Sequence, residues 1–226
     1  MSDINIQKRV ALISDSSGER GLGSLTSALA SRGVAGEPTA GEGLANFTAA
    51  LPLGLQQNTI TSEGFVSWLA SAQEQTSILN HPHFLLWNRR SEYLDDLAAV
   101  GIDVFDETTE SVSRTHSLVY FNGEYAYSLS EATPTLASAA TPAPEVPLLN
   151  TGALVLRAIG LISRSSEWAA TSGLPLYLRI DLAEVEGEAR PRLIAVDGIA
   201  PGLGLATSPD HAQMFAQAIA ERVEFL

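Results

Sequence analysis

Cysteine is absent from this 226-residue sequence, which excludes disulfides and thiolate metal centres and fits a reducing compartment. Lysine is almost absent: Lys8 stands alone among 13 basic residues, and the other twelve are arginine. Against 26 acidic residues this leaves a formal net charge of -13, the wrong sign for a nucleic-acid or anionic-membrane partner. No apolar run approaches the ~20 residues that span a bilayer. The opening MSDINIQKRVALIS has no n-region, h-region or cleavage site of a signal peptide, so a cytoplasmic location is expected. What is present is a 45% hydrophobic composition, enough chain and apolar surface for one large domain or two small ones.

The first third alternates strand and helix signals. RVALIS (9–14) reads as a buried strand, DSSGERGLG (15–23) as a Gly/Ser turn and SLTSALASRG (24–33) as a helix closed by Gly33. Residues 35–50 carry no clear pattern. LPLGLQQ (51–57) is expected to be a second strand, Ser62 to start a helix with Phe65, Val66, Trp68 and Leu69 inward, and TSILN (76–80) to be a third short strand. Farther on, RSEYLDDLAAV (90–100) reads as an amphipathic helix ended by Gly101. SLVYF and EYAYSLS meet at Asn122-Gly123, the strongest hairpin signal in the chain. A proline-rich stretch at 133–147 precedes a long apolar helix from Leu148. A second hairpin at 176–200 and a helix at 209–222, begun by Ser208-Pro209 with Met214, Phe215, Ala218 and Ile219 on one face, complete the pattern. The fold class expected is α/β: a Rossmann-like parallel lobe over 1–86, then a lobe over 87–226 with an antiparallel sheet and packing helices around a cleft.

Three stretches in this order carry a resemblance: ILNHPHFLLWNRRSEYLDDLAAVGIDV (78–104), SLVYFNGEYAYSLS (117–130) and the segment from Leu176 to Arg222. Together they resemble the ATP-grasp ligase family, in particular its small bacterial members similar to those of the cycloserine pathway. The resemblance implies phosphate, substrate or metal contacts for Arg179, Asp181 and Asp197. It also implies a phosphate-binding lysine where this chain has Ser91, another basic residue where it has Glu131, a magnesium-bridging glutamate where it has Ala195 and a further acid where it has Ala200. The family's small lid subdomain would fall between GIDVF and SLVYF, where only DETTESVSRTH is found. The lid is therefore expected to be absent.

Strand alternation puts Arg179 and Asp181 on one face of the second hairpin and Leu178, Ile180 and Leu182 on the other. If the loop is Gly187-Glu188-Ala189, then Glu186 pairs with Arg190, Asp181 with Ala195 and Arg179 with Asp197. The charged residues then form one cluster, either a structural ion pair of small net stabilisation or a residual ligand site with Asp181, Asp197 and Arg179 as catalytic candidates. Further ligand-binding candidates are Ser16 and Ser17 in the strand-to-helix turn, and Trp87 and Asn88, which alternatively pack the joint between lobes. HPH (81–83) reads as a loop with two partly exposed histidines and no metal shell. His116 and His211 are isolated, with capping or surface roles, and DETTE (106–110) reads as a solvated loop.

An ATP site needs cations around the triphosphate and carboxylates around Mg²⁺. Losing three charge-assisted contacts of ~1.5–3 kcal/mol each weakens binding by roughly 10³- to 10⁶-fold. The expectation is therefore a degenerate ATP-grasp-like protein without ATP or Mg²⁺ as cofactor and with no resident metal. It would act as a binding protein for a small molecule or as a partner of an active ATP-grasp or other pathway enzyme, with a homodimer as a further option. An ATP-independent enzyme reusing the cleft is the alternative, and an active carboxylate–amine ligase the third reading.

Overall fold

A computed structural model describes residues 7–15, 21–129, 144–164 and 174–226. The chain divides into two compact units, Met1–Leu86 with Ile199–Leu226, and Trp87–Gly198. Residues 199–226 thus join the first unit and not the second lobe to which the sequence reading assigned them. The reason is packing: the last helix lies against the first one.

In the first unit β1 (Arg9–Ser14) is the interior strand of a parallel sheet ordered β2-β1-β3-β4, with β2 at Ala35–Thr39, β3 at Ala49–Gly54 and β4 at Ser77–Ile78. Val10, Ala11, Leu12 and Ile13 are buried in succession, as expected of a parallel strand covered on both faces. β2 lies inside 35–50, where sequence reasoning found no element, because Ala-Gly-Glu-Pro-Thr has little apolar alternation and is held by register with β1. α1 (Leu22–Ala30) packs on β2 and on α7 (Pro209–Glu224). Gly21 before α1 has φ 101°, and a Cβ there would stand 2.6 Å from the backbone of Leu205 and Ala206, so only glycine lets the two loops meet. α7 starts as expected, with Ser208 Oγ accepting the Asp210 N–H. Phe215, Ala218 and Ile219 are buried, but Met214 is exposed, one step off the apolar face.

α2 (Gln57–Thr61) is followed by α3 (Glu63–Gln73), where Ser62 Oγ accepts the Phe65 N–H as an N-cap and Phe65 and Leu69 face inward. The HPH segment is not a loop: Pro82 opens α4 (Pro82–Asn88), and the Leu85 N–H bonds to the His81 carbonyl. Proline suits the first helical position because its missing N–H has no helical partner there.

The second unit is built on an antiparallel sheet ordered β6-β5-β7-β8: β5 Val112–Phe121, β6 Glu124–Leu129, β7 Tyr177–Val185 and β8 Arg192–Asp197. Asn122 and Gly123 both have positive φ, 51° and 84°, the two-residue turn that matches strand twist. α5 (Tyr93–Ala99) is shorter than the expected helix at 90–100. α6 (Val146–Arg164) packs with Gly152 against Tyr120 and Leu118 of β5. At 19 residues and mean hydropathy 1.6, α6 is long and apolar enough to cross a membrane by length and composition, which the sequence reading did not foresee. Leu148, Gly152, Val155, Leu156, Ala158 and Ile159 are nevertheless buried within the protein.

The connection from Val104 to β5 is short and closed on itself. Asp106 accepts from Thr108 and Thr109, and its N–H donates to Glu110. Glu110 is not simply solvated: Arg192 holds it at 2.9 Å with 12% of its side chain exposed. No subdomain intervenes between 104 and 112, which are described throughout. The outer edge of β8 is covered, as exposed strand edges must be. Leu193 bonds to Asp103 and Phe105, while Tyr93 and Asn88 take the Val196 N–H and carbonyl.

Candidate functional site

The charged cluster is built by register. β7 and β8 pair Arg179 with Asp197, Ile180 with Val196 and Asp181 with Ala195. Beyond Asp181 the register shifts by one, Leu182 facing Leu193 and Ala183 facing Arg192. Ile194 is the extra residue, so the expected Glu186–Arg190 pairing does not form. A bulge of this kind re-aims the strand beside it. Leu178, Ile180 and Leu182 are buried, and Arg179 and Asp181 are half-buried on the opposite face.

Within this face the charges are already engaged. Arg179 donates from Nε and Nη2 to Asp181 Oδ2 at 3.2 and 3.0 Å, and its Nε lies 3.0 Å from Oδ1. Ser117 Oγ, directly across the β5–β7 ladder, donates to Asp181 Oδ1 at 2.6 Å. Asp181 is therefore an ion-paired carboxylate with both oxygens already engaged, which leaves it a poor open metal ligand. With alanine opposite Asp181, the guanidinium provides positive charge for Asp181 where the resemblance would put a metal-bridging acid on β8.

Around Asp197 the backbone is clamped. Asn88, buried at the end of α4, donates from Nδ2 to the Val196 carbonyl and accepts the Gly198 N–H at Oδ1, each at 2.8 Å. Tyr93 Oη accepts the Val196 N–H at 3.0 Å. Burial, then the charges of Asp197 and Asp181, raise the Tyr93 pKa against the opposing Val196 hydrogen bond. Burial raises that of Tyr177 well above its usual value, with Asp197 adding. Both phenols thus stay protonated beside the carboxylates. Trp87 packs at 5.3 Å on Tyr93 and donates from Nε1 to Asp96.

The arrangement brings Arg179, Asp181 and Asp197 onto one face and sets Asn88 on the backbone at the end of β8, with Trp87 packed on Tyr93. Ser16 and Ser17 lie outside the described residues, as does Glu131. Ser91 is exposed. Ser117, Tyr93 and Tyr177 escaped sequence reasoning because no local pattern marks them; only strand pairing and the α5 approach bring them to the cluster. A magnesium ion does not fit this donor set. Ala195 offers no side-chain ligand, Asp181 is occupied by Arg179 and Ser117, and among the described residues no three or more His, Cys, Asp or Glu side chains gather as a metal site.

No protein-family model and no curated protein matches the chain. Solved structures do. D-cycloserine synthetase DcsG superposes with a TM-score of 0.76 at 17% identity, over 96% of this chain and 100% of that one. A RimK domain ATP-grasp protein from Sphaerobacter thermophilus gives 0.59 at 15% identity, over 93% and 98% of the two chains. The macrocyclase MdnC from Microcystis aeruginosa, bound with precursor peptide MdnA, gives 0.58 at 10% identity, over 96% and 100%. The two-unit α/β architecture is thus the ATP-grasp fold, as the resemblance in the sequence implied, and its structural neighbours include biosynthetic enzymes.

Proposed function

We propose that this chain is an ATP-grasp-like protein of small-molecule biosynthesis that no longer carries out ATP-dependent ligation and acts by binding a small molecule or a pathway enzyme. The observation that supports this most directly is the closed Arg179–Asp181–Ser117 set with Ala195 opposite. A magnesium nucleotide needs carboxylates free to ligate and cations free to meet phosphates. Here the carboxylate is spent on the cation two residues away. The only lysine, Lys8, precedes β1 in the first unit, and Ser91 supplies no charge. The neighbours named for D-cycloserine synthesis and macrocyclisation support the biosynthetic setting.

Thermal unfolding with about 5 mM ATP and 10 mM MgCl₂ tests the reading. A ligand that binds the native state stabilises it by RT ln(1 + [L]/Kd), ~2.7 kcal/mol at a hundredfold excess over Kd. The expected shift is below about 1 °C, since 1 kcal/mol corresponds to ~2–4 °C at this chain length. A rise of several degrees that needs both nucleotide and Mg²⁺, with ADP released in the presence of carboxylate and amine substrates, would refute it.

A further inference from the structure

The outward face of α6 concentrates exposed apolar surface. Val146, Leu154 and Leu161 are 69%, 49% and 58% exposed, and with Asn150, Ala153 and Arg157 they recur at helical spacing along one side. A groove of ≈590 Å³ runs between this face and Ala189–Arg190 of the β7–β8 connection. Scattered exposed leucines are ordinary, but an apolar stripe beside a groove marks an interaction surface.

We propose that this face pairs with the same face of a second copy of the chain, the two α6 helices antiparallel about a two-fold axis through the 153–154 step. The pattern is self-complementary in that arrangement. Val146 falls on the partner's Leu161, Ala153 on the partner's Leu154, and Asn150 on the partner's Arg157, to whose guanidinium its side-chain carbonyl offers an acceptor. Charge points the same way: Glu145 precedes the helix and Arg164 ends it, both exposed, and neither they nor Arg157 make an ion pair among the described residues. Antiparallel pairing sets each acidic end beside the partner's basic end and opposes the two helix dipoles, whereas parallel pairing juxtaposes like charges. A membrane is the weaker fit, because Arg157 sits in mid-stripe and a chain of net charge -13 is repelled by anionic lipid. One helix face and a groove rim make a small interface, so the dimer is expected to dissociate on the order of 1–100 µM. This inference stands independently of the lost ligase chemistry.

Sedimentation velocity of the full chain from about 1 to 300 µM, spanning that range, should show monomer passing to dimer. Leu154→Glu, whose carboxylates meet near the two-fold axis, should remain monomeric with unchanged circular dichroism, and Leu154→Ser should shift the midpoint to at least about tenfold higher concentration. Because the chain has no cysteine, Leu154→Cys with a short bismaleimide should cross-link to a dimer, while Val100→Cys, 44% exposed just past the end of α5, should not. Monomer throughout, a dimer untouched by Leu154→Glu, or co-sedimentation with neutral phosphatidylcholine vesicles in place of dimerisation would each overturn the proposal.

Discussion

Gly152→Ala examines how α6 is seated on the sheet. A Cβ at Gly152 would stand 2.0 Å from Tyr120 Oη, 3.0 Å from Cζ and 3.2 Å from Leu118 Cδ1, and both of those side chains are buried. Alanine gains ~1 kcal/mol of helix propensity over glycine, while overpacking a filled core costs ~1–3 kcal/mol and occasionally more. The clash here involves the worst of these contacts, so a net loss of about 1–2 kcal/mol is expected, or ~2–8 °C in Tm. Tyr120 offers the control. Among the described residues its buried hydroxyl has no hydrogen-bond partner, so Tyr120→Phe removes an unsatisfied group and should stabilise by about 1 kcal/mol. When Tyr120→Phe is already in place, Gly152→Ala should lose most of its cost, because the oxygen at 2.0 Å is gone. Urea denaturation of the four proteins followed by circular dichroism measures the cycle, with an expected coupling of about 1 kcal/mol or more. Additivity within ~0.5 kcal/mol, or a Tyr120→Phe protein less stable than the parent, would show that α6 does not rest on this contact.

Asn88→Ala should lower stability by about 2–4 kcal/mol, since it strands the Val196 carbonyl and the Gly198 N–H at a buried strand end. Asn88→Asp, keeping the acceptor but losing the donor, should fall between, and equal Tm values for all three proteins would remove Asn88 from its supporting role. Alkaline titration provides another check. Burial, followed by the field of Tyr125, pushes Tyr120 up to about 12, and Tyr93 and Tyr177 are raised as well. The unfolded chain releases these protons first, near pH ~10, so their stabilisation is complete below that pH and is lost as pH climbs through the folded values. Stability should decline from about pH 10 to 12, and Tyr120→Phe should flatten that decline; identical slopes would contradict the burial argument.

Much of the fold was legible because it rests on local rules. The buried run of β1, the Ser62 and Ser208 caps and the Asn122-Gly123 turn each follow from chemistry within a few residues, and each appears in the structure. β2 and α4 were missed for the opposite reason. The Ala35–Thr39 strand is extended because β1 offers it a ladder, and the His-Pro-His segment is helical because Pro82 sits at a helix start and not in a turn. Alternation foretold that Arg179 and Asp181 share a face, and an assumed Gly187-Glu188-Ala189 loop put Arg179 opposite Asp197, but no sequence pattern announces the bulge at Ile194 that changes the hairpin beyond them.

By itself the sequence determined the ingredients: no thiol, one lysine, a strongly negative chain, an arginine two residues from an aspartate on one side of a strand, and an alanine at position 195. Tertiary structure alone decided what those ingredients became. Pairing of β5 with β7 delivered Ser117 to Asp181 across 64 residues of chain, and α4 and α5 delivered Asn88 and Tyr93 to the end of β8. Local composition fixes which groups a strand can present, whereas the partners that satisfy them come from distant segments, whose arrival depends on burial and register throughout the unit.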